Sequence, residues 1–245
     1  MLGELDITTE YDCMDTIEQC GANGTQGLEC YNRVMCVEPA VQFSVKKITV
    51  APNYDETGGG EQFGRKFAIN DIAVIELDED VNFTNSVRPV CLPQSEKPFD
   101  YPSSPMVLKG WGNEVAGFGA PSSSTVLQML PDLREIPLED TKDLDGCKTR
   151  LGLPLLKSQM CIESSGTSNA CKGDSGGPVS MQHREHRHDP GFWQLVGVIS
   201  FGNGRCGSKI PLVVTRVGDP ATLAWIKETI GEEGLPSTPS YPPRF

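Results

Sequence analysis

Residues 171–178 read Cys171-Lys172-Gly173-Asp174-Ser175-Gly176-Gly177-Pro178, and this stretch carries more structural information than any other in the chain. A serine hydroxyl is a weak nucleophile and needs a neighbouring base. It also needs backbone N–H groups aimed at the oxyanion that develops during acyl transfer. Glycines beside Ser175 allow a turn in which the Gly173 and Ser175 amides converge on one point. A Gly-rich turn that holds a serine by chance is the alternative, and so long a consecutive pattern favours a nucleophile.

Apolar, β-branched runs punctuated by Gly, Pro, Asn and Ser lie on both sides of this stretch and are typical of strands separated by turns. They predict an all-β barrel or sandwich. The runs are Val41–Val50, Ile72–Leu77, Met106–Leu108, Val126–Leu130, Leu195–Phe201 and Leu212–Val217. One helix is expected over Pro220–Ile230, where Leu223, Ile226, Lys227 and Ile230 share a face and Trp225 sits beside it.

Four segments are predicted to lie outside this framework. Residues 9–40 are polar and Gly-rich and hold four cysteines, so they indicate a long loop closed by its own bridges. Asp55–Arg65, with three consecutive glycines, indicates a second loop. Met181–Asp189 indicates a polar hairpin loop between strands at Pro178–Ser180 and Trp193–Phe201. Residues 231–245 are Pro-rich with few apolar anchors and are expected to be a disordered tail.

Charge and composition exclude several classes of partner. The chain has 245 residues, 21 Lys and Arg against 33 Asp and Glu, and a formal net charge of −12. Nucleic acids and anionic membrane surfaces demand a basic face, so neither is an expected partner. No run approaches the roughly 18 apolar residues needed to span a bilayer. Nine cysteines without a zinc-type Cys-x-x-Cys pair indicate a disulfide-bearing, secreted protein whose export signal lies outside this sequence.

Several motifs in order resemble the chymotrypsin-like serine proteases, the S1 family, from about Leu2 to Ile230. Besides 171–178, the motifs are Asn70-Asp71-Ile72-Ala73-Val74-Ile75-Glu76-Leu77, Val87-Arg88-Pro89-Val90-Cys91-Leu92-Pro93, Lys109-Gly110-Trp111-Gly112, Val196-Gly197-Val198-Ile199-Ser200-Phe201-Gly202 and the Trp225-Ile226 helix. The opening Leu2–Asp6, with Cys13, is similar to the arthropod clip-domain branch, the proteases of immune and developmental cascades.

The resemblance implies a chymotrypsin-like double β-barrel that hydrolyses peptide bonds in protein substrates without a cofactor. Ser175 would be the nucleophile, and Asp71 would orient the base and stabilise its imidazolium form. Gly173 and Ser175 would form the oxyanion hole. Asp174 would pair with the N-terminal ammonium that activation cleavage creates.

The resemblance also implies a primary specificity pocket that differs from that of trypsin-like members. Its floor would be Asn169, where those members carry aspartate, and its walls would be Ser200–Gly202 and the segment around Leu212. Gly202 leaves the entrance open, but Leu212 stands where most members have glycine. A buried Arg or Lys side chain needs a carboxylate, and Asn169 offers only an amide. Cleavage after Arg or Lys is therefore expected to be disfavoured relative to a small or medium apolar residue. A vestigial pocket that cuts nothing is the alternative.

By the same resemblance, Cys147 pairs with Cys161 and Cys171 with Cys206. Cys13 is expected to bridge to Cys36, which leaves Cys20 and Cys30 as a nested pair, although four cysteines allow three connectivities. Cys91 is left unpaired, at the position where the family tethers the catalytic domain to a propeptide or clip domain.

The general base is missing from the expected place. The three histidines are His183, His186 and His188, and all follow Ser175, whereas in chymotrypsin-type chains the base precedes the aspartate. Their His-x-x-His-x-His spacing could suit a metal, but a solvated loop is the favoured interpretation, so no metal site is expected.

Two explanations compete for the missing base. In the first, the histidine is substituted, as in the pseudoproteases of the clip branch; in the second, the sequence starts too late. We favour the second, because a substituted homologue would keep the first barrel strands that the barrel needs for closure. Residues 1–230 are then an S1 domain lacking its activation site and histidine segment, followed by the tail at 231–245. The 245 residues alone are expected to be inactive.

The rival function is a non-catalytic homologue that binds proteases, substrates or immune ligands as a cofactor in a cascade. On the peptidase interpretation, the expected partners are protein substrates, serpin-type inhibitors and, through Cys91, an upstream propeptide or clip domain. The sequence upstream of Met1 distinguishes these two functions.

Overall fold

The structure is a computed structural model, and it describes the chain in segments. They are residues 13–22, 28–36, 40–57, 67–84, 87–93, 106–115, 127–129, 134–140, 149, 151–164, 170–183, 191–202 and 211–231. For 13–22, 28–36, 113–115, 127–129, 134–140, 164 and 183, only the backbone is described. Of the predicted tail at 231–245 only Gly231 is described, and of the predicted loop at Asp55–Arg65 only residues 55–57 are described.

Strands dominate the described part of the chain, in agreement with the all-β prediction. They are β1 (Cys13–Ala22), β2 (Leu28–Cys36), β3 (Val45–Val50), β4 (Ala73–Leu77), β5 (Met106–Gly110), β6 (Asn113–Val115), β7 (Leu127–Met129), β8 (Arg134–Asp140), β9 (Gln159–Ser164), β10 (Pro178–His183), β11 (Phe192–Phe201) and β12 (Leu212–Arg216). Six of them close a barrel in the order β10-β11-β12-β9-β8-β5, with antiparallel neighbours throughout.

The barrel has a tightly packed apolar core because side chains alternate between its two faces. On β12, Leu212 and Val214 join one buried cluster, and Val213 joins another. The first cluster contains Met106, Leu108, Met160, Ile162, Val179, Met181, Val196, Ile199, Leu212 and Val214. The second contains Phe67, Leu151, Leu153, Leu155, Cys161 and Val213. The two faces of β12 therefore pack into two different apolar clusters.

The predicted helix is confirmed as α1 (Pro220–Ile230). Its N-terminus is capped by Asp219, whose carboxylate accepts the backbone N–H of Thr222 at 3.2 Å. Proline follows at the first helical position, where its missing N–H costs nothing. Leu223 and Ile226 are buried, as the periodicity predicts. The helix ends at Gly231, which has a φ of 72°.

Strands β3 and β4 form a separate two-stranded sheet with an exposed apolar face. Ile48 lies directly opposite Ile75, and the two side chains are 59% and 56% exposed. Val50, two residues along the same face, is 52% exposed. Within the described residues no further strand pairs with this sheet. The described residues thus form one closed barrel and three separate two-stranded sheets, of which β3–β4 is one.

Residues 13–36 correct the prediction of a loop. β1 and β2 pair as an antiparallel hairpin from Cys13↔Cys36 to Ala22↔Leu28. The ladder includes Gly21 opposite Glu29, and residues 23–27, between the two strands, lie outside the described residues. Polar composition misled the prediction because antiparallel pairing satisfies backbone groups whatever the side chains.

The loop that holds the histidines is also shorter than predicted, because the strand before it is longer. β10 continues three residues beyond Ser180 to His183, which lies opposite Phe192. Met181 is 1% exposed, so burying its side chain extends the strand. The connection shrinks to residues 184–191, of which only Gly191 is described. Among the described residues, no helix is both long and apolar enough to cross a bilayer.

Candidate active site

The Ser175 loop enters strand β10 at the rim of the closed barrel. Gly176 donates its N–H to the carbonyl of Ile199 at 2.9 Å, and Gly177 donates to the carbonyl of Asp174, also at 2.9 Å. Ser175 is exposed between them. Its hydroxyl has no hydrogen-bond partner in the described part of the chain, so it is available to a base and a substrate.

The two predicted oxyanion donors are also unengaged. Gly173 and Ser175 are exposed, and among described residues neither N–H is used in a hydrogen bond. Gly173 has a φ of 103°, in the left-handed region that only glycine enters freely. A backbone with two unpaired amides on either side of a buried carboxylate can receive a developing negative charge.

The buried carboxylate of Asp174 holds this loop in place through two hydrogen bonds. Its carboxylate, in a residue only 7% exposed, accepts the N–H of Gly112 at 2.8 Å on one oxygen and the N–H of Cys171 at 2.9 Å on the other. A Cβ at Gly112 would occupy the space of the carboxylate itself, which explains a glycine there. Cys171 is in addition disulfide-bonded. No cation pairs with Asp174 among the described residues.

Asp71 is held at the same rim. Its carboxylate accepts a hydrogen bond from the hydroxyl of Ser200 at 2.6 Å, and its carbonyl accepts one from the hydroxyl of Thr215 at 2.8 Å. Asn70, immediately before it, has a φ of 50°, a conformation that Asn tolerates better than most residues. The short Asp71–Ser200 bond involves a charged acceptor and is of the stronger kind.

The segment leading to Asp71 is anchored on the closed barrel as well as on the chain that follows β3, where Ile69 and Asp55 exchange two backbone hydrogen bonds of 2.9 and 3.2 Å. Gln159, 2% exposed, donates from its side-chain amide to the carbonyl of Ala68 at 2.9 Å. The same side chain accepts the N–H of Leu156 at 3.0 Å. Phe67 packs into the second core cluster. The position of Asp71 therefore depends on the barrel that also carries Ser175.

Adjacent residues of β11 connect the two predicted catalytic groups. Ile199 accepts the N–H of Gly176, next to the serine, and Ser200 donates to the carboxylate of Asp71. Consecutive Cα atoms are about 3.8 Å apart, so the Ser175 loop and Asp71 are fixed at neighbouring points of one strand.

Tyr54 feels the charge of Asp71. The pKa of its phenol is raised above the ordinary value of 10.0, first by partial desolvation and then by the negative charges of Asp71, Glu56 and Asp55. The side chain is 44% exposed, so the phenol lies at the surface beside the site.

Three of the predicted pocket residues lie together. Ser200 lies one residue before the end of β11, Gly202 directly follows that strand, and Leu212 begins β12. Leu212 is 4% exposed, and its Cδ1 lies 3.6 Å from the point where a Cβ of Gly202 would be. Ala170, beside the predicted floor, packs against the same cluster as Leu212. Asn169 lies outside the described residues.

The cysteines are described in part. Cys161 and Cys171 are disulfide-bonded, and their predicted partners, Cys147 and Cys206, lie outside the described residues. Cys91 is a free thiol of intermediate exposure. Its backbone is fixed by two hydrogen bonds to the neighbouring strand β11, to the carbonyl of Trp193 and from the N–H of Leu195.

No base stands beside Ser175 and Asp71 within the described residues. Of the histidines, His183 lies at the far end of β10 and is described by its backbone alone, and His186 and His188 lie outside the described residues. In the described part of the chain, His, Cys, Asp and Glu form no cluster that could hold a metal ion.

Sequence reasoning missed the hydrogen-bonding role of Ser200, which it placed only in the pocket wall, and missed Gln159 and Thr215 altogether. A usable signal existed. Gln159 and Thr215 are polar residues in strands that are otherwise apolar, Gln-Met-Cys-Ile and Leu-Val-Val-Thr. Buried polar groups are nearly always hydrogen-bonded, so a polar residue in an apolar strand predicts a hydrogen-bond partner for its side chain.

Most of this chain is similar to known proteins. Residues 31–226 match the family model described as Trypsin. "Serine protease 7" of Drosophila melanogaster is 32% identical over 94% of this chain and 49% of its own length. "Phenoloxidase-activating enzyme" of Bombyx mori is 31% identical over 80% of this chain and 42% of its own length. The chain thus spans about half the length of the curated relatives it matches.

A solved structure shows the same fold. The "Crystal structure of drosophila Grass clip serine protease of Toll pathway" superposes with a TM-score of 0.59, at 22% identity, over 93% of this chain and 55% of that one. With an ordered set of motifs, a six-stranded closed barrel and a match over most of its residues, the chain belongs to the trypsin family of serine proteases.

Proposed function

We propose that this chain is the nucleophile-bearing part of a serine endopeptidase of a clip-type proteolytic cascade. Ser175 attacks the scissile carbonyl, the amides of Gly173 and Ser175 receive the oxyanion, and Asp71 orients the base. The observation that carries the proposal is the double attachment to β11, where Ile199 binds the Ser175 loop and Ser200 binds Asp71. A turn that holds a serine by chance would not need a partly buried aspartate, from a segment about 100 residues earlier in the chain, bound to the neighbouring residue of the same strand.

The 245 residues alone are not expected to hydrolyse peptides. All three histidines follow Ser175, and the triad needs an imidazole between Ser175 and Asp71 to take the proton. Loss of the base from an analogous triad lowers kcat by about 10⁶. We therefore propose that the active form contains a histidine segment beyond these 245 residues.

Labelling with a fluorophosphonate tests the proposal. The transcript is sequenced upstream of the codon for Met1, and the 245-residue chain and the longest encoded product are purified after any activation cleavage. The longer product should be labelled and the shorter one should not. The Ser175→Ala variant of the longer product is the control and should lose the label. A complete barrel with a residue other than histidine at the base position, and no labelling, would overturn the peptidase proposal.

The rival is a non-catalytic homologue that acts as a binding cofactor. The hydrogen bond from Ser200 to the Asp71 carboxylate supports this rival. It gives Asp71 a partner other than an imidazole, so the site can be stable without a base. If the transcript begins at Met1 and the product is made stably, this rival replaces the peptidase.

Leu212 supports a shortened specificity pocket. Its side chain is buried and reaches to 3.6 Å from the Cβ position of Gly202, on the two walls between which a substrate side chain would enter. With Asn169 at the floor, Arg and Lys side chains would lack both depth and a carboxylate. We propose cleavage after small or medium apolar residues.

An active chimera carrying the upstream segment of a relative tests this pocket. Peptide-library profiling should show weak cutting after Arg, and the double variant Leu212→Gly/Asn169→Asp should gain it. Leu212→Gly alone is the matched control, since it deepens the slot without adding charge. Strong cutting after Arg by the unmodified chimera would refute the proposed pocket while leaving the peptidase proposal intact.

The names of two relatives support a proposal for the cellular setting. Relatives are named for phenoloxidase activation and melanization, and we propose that this protein likewise acts on protein substrates in a secreted cascade. Serpin-type inhibitors would be its regulators, and Cys91 would tether a propeptide or clip domain. No cofactor is part of the proposal.

A further inference from the structure

We propose that the β1–β2 hairpin is closed by two cross-strand disulfides, Cys20–Cys30 near its turn and Cys13–Cys36 at its base. This inference is independent of the proposed activity. It rests on the backbone register of the hairpin, which places each of the four cysteines opposite another cysteine.

The register permits only one of the three connectivities. Opposite residues of an antiparallel pair have Cα atoms about 4.5 or 5.5 Å apart. Disulfides span Cα separations of about 4.4–6.8 Å, so both opposed pairs fall in range. Cys13 and Cys20 lie along one strand, seven residues and thus about 20 Å apart. Cys13 is as far from Cys30, which lies opposite Cys20.

A bulge reconciles the unequal spacing of the cysteines. Seven residues separate the pair on β1, but six separate the pair on β2. In an uninterrupted ladder this mismatch would leave one cysteine without an opposed partner. The register shifts by one residue between Met14 and Ile17, where Met14 lies opposite Met35 and Ile17 opposite Arg33. Because of the bulge, Cys13 lies opposite Cys36 as well as Cys20 opposite Cys30, and both cysteine pairs are on the same face of the hairpin.

The hairpin also needs such cross-links. β1 and β2 pair only with each other among the described strands. An isolated two-stranded hairpin is at best marginally stable in water. Nested disulfides lower the entropy of the unfolded segment and hold the ladder in register.

The chemistry of each rung is an ordinary thiol oxidation. Two cysteine thiols lose two protons and two electrons and form one S–S bond. The electrons pass to the disulfide of a protein disulfide oxidant in the secretory pathway, which is reduced to two thiols. The assignment leaves Cys91 outside the hairpin, in agreement with its free thiol.

Peptide mapping of the full chain from a secreting host tests the proposal. Free thiols are blocked with N-ethylmaleimide, and the chain is cleaved after Glu and Arg without reduction. Because Glu38 precedes Pro39 and is not cut, the four cysteines then fall in four different fragments, residues 11–18, 19–29, 30–33 and 34–56. We expect 11–18 joined to 34–56 and 19–29 joined to 30–33. Any other pairing, or maleimide on any of these four cysteines, would overturn the proposal.

A pair of variants adds a second readout. Cys20→Ser should expose one new thiol, on Cys30, whereas Cys91→Ser should remove one and leave the map unchanged. In Cys20→Ser/Cys30→Ser, tryptic cleavage after Arg33 in the native chain should accelerate by about tenfold or more, because the ladder near the turn opens more often. An unchanged cleavage rate would show that no rung exists there.

Discussion

The carboxylate of Asp174 fills the space beside Gly112, so a single added methyl group should disturb the loop that carries Ser175. We expect Gly112→Ala to lower the free energy of unfolding by about 2–3 kcal/mol, the usual cost of overpacking a filled site. Urea denaturation measures the effect. Gly202→Ala is the matched control, since its new Cβ would lie 3.6 Å from Leu212 Cδ1, an ordinary contact, and should change stability by less than about 0.5 kcal/mol.

A double-mutant cycle identifies the cause of the Gly112 effect. Removing the carboxylate in Asp174→Ala frees the space that the new methyl group needs. The cost of Gly112→Ala should therefore be smaller in the Asp174→Ala background than in the parent. Additive costs would mean that the carboxylate is not what the methyl group meets.

Tyr54 reports on the charge of Asp71. Its raised phenol pKa means that the folded chain holds this proton more tightly than the unfolded chain, first because of desolvation and then because of Asp71 and its acidic neighbours. The stability from this difference is present below pH 10.0 and is lost as the pH rises through the higher folded pKa.

Absorbance titration gives that pKa once the other four of the five tyrosines are subtracted with a Tyr54→Phe variant. Asp71→Asn should lower the Tyr54 pKa towards its ordinary value because one negative charge is removed. Asp78→Asn is the control, since Asp78 is not among the charges acting on Tyr54. Equal shifts in both variants would place Asp71 too far from the phenol to matter.

Local motifs and distant contacts differed in how far sequence could predict them. Short sequence motifs surround Ser175, Gly173 and Asp71, so the roles of these residues could be proposed from the residues next to them. The bond from Ser200 to Asp71 joins residues 129 apart, and that from Thr215 joins residues 144 apart. Such partners are determined by barrel closure, which no local pattern encodes.

At the scale of elements, helix α1 tests how much one cap contributes. Asp219 accepts from the N–H of Thr222 at 3.2 Å and from its hydroxyl at 3.3 Å. Asp219→Ala should lower the free energy of unfolding by about 1 kcal/mol, the typical value of a lost N-cap. Asp219→Asn keeps an oxygen acceptor and should retain most of that stability in the same urea titration. Equal losses in both variants would attribute the effect to charge rather than to the cap.

Element boundaries were predicted best where apolar periodicity was strong. The helix bounds agree with the prediction at both ends, and β4 begins one residue later than predicted. β1 and β2 were missed because their residues are polar, and their pairing comes from the backbone and its turn. β10 is three residues longer than predicted because Met181 is buried. That burial depends on the neighbouring strands β5 and β11.

For the whole molecule, the exposed face of the β3–β4 sheet should dominate solution behaviour. Ile48, Ile75 and Val50 are each more than half exposed on one face of that sheet. Contiguous apolar patches of this kind mark interaction surfaces or aggregation sites. The 245-residue chain on its own should therefore self-associate, because no other described strand covers this face.

Ile48→Thr/Ile75→Thr should raise the monomer fraction in size-exclusion chromatography at equal concentration. Threonine is β-branched and keeps the strand preference, so the variant removes apolar surface without removing the sheet. Lys47→Thr, adjacent to Ile48 and on the opposite face, is the matched control and should leave the monomer fraction unchanged. If the double variant associates as strongly as the parent chain, another surface drives the association. The exposed face of the β3–β4 sheet would then not be an interaction surface.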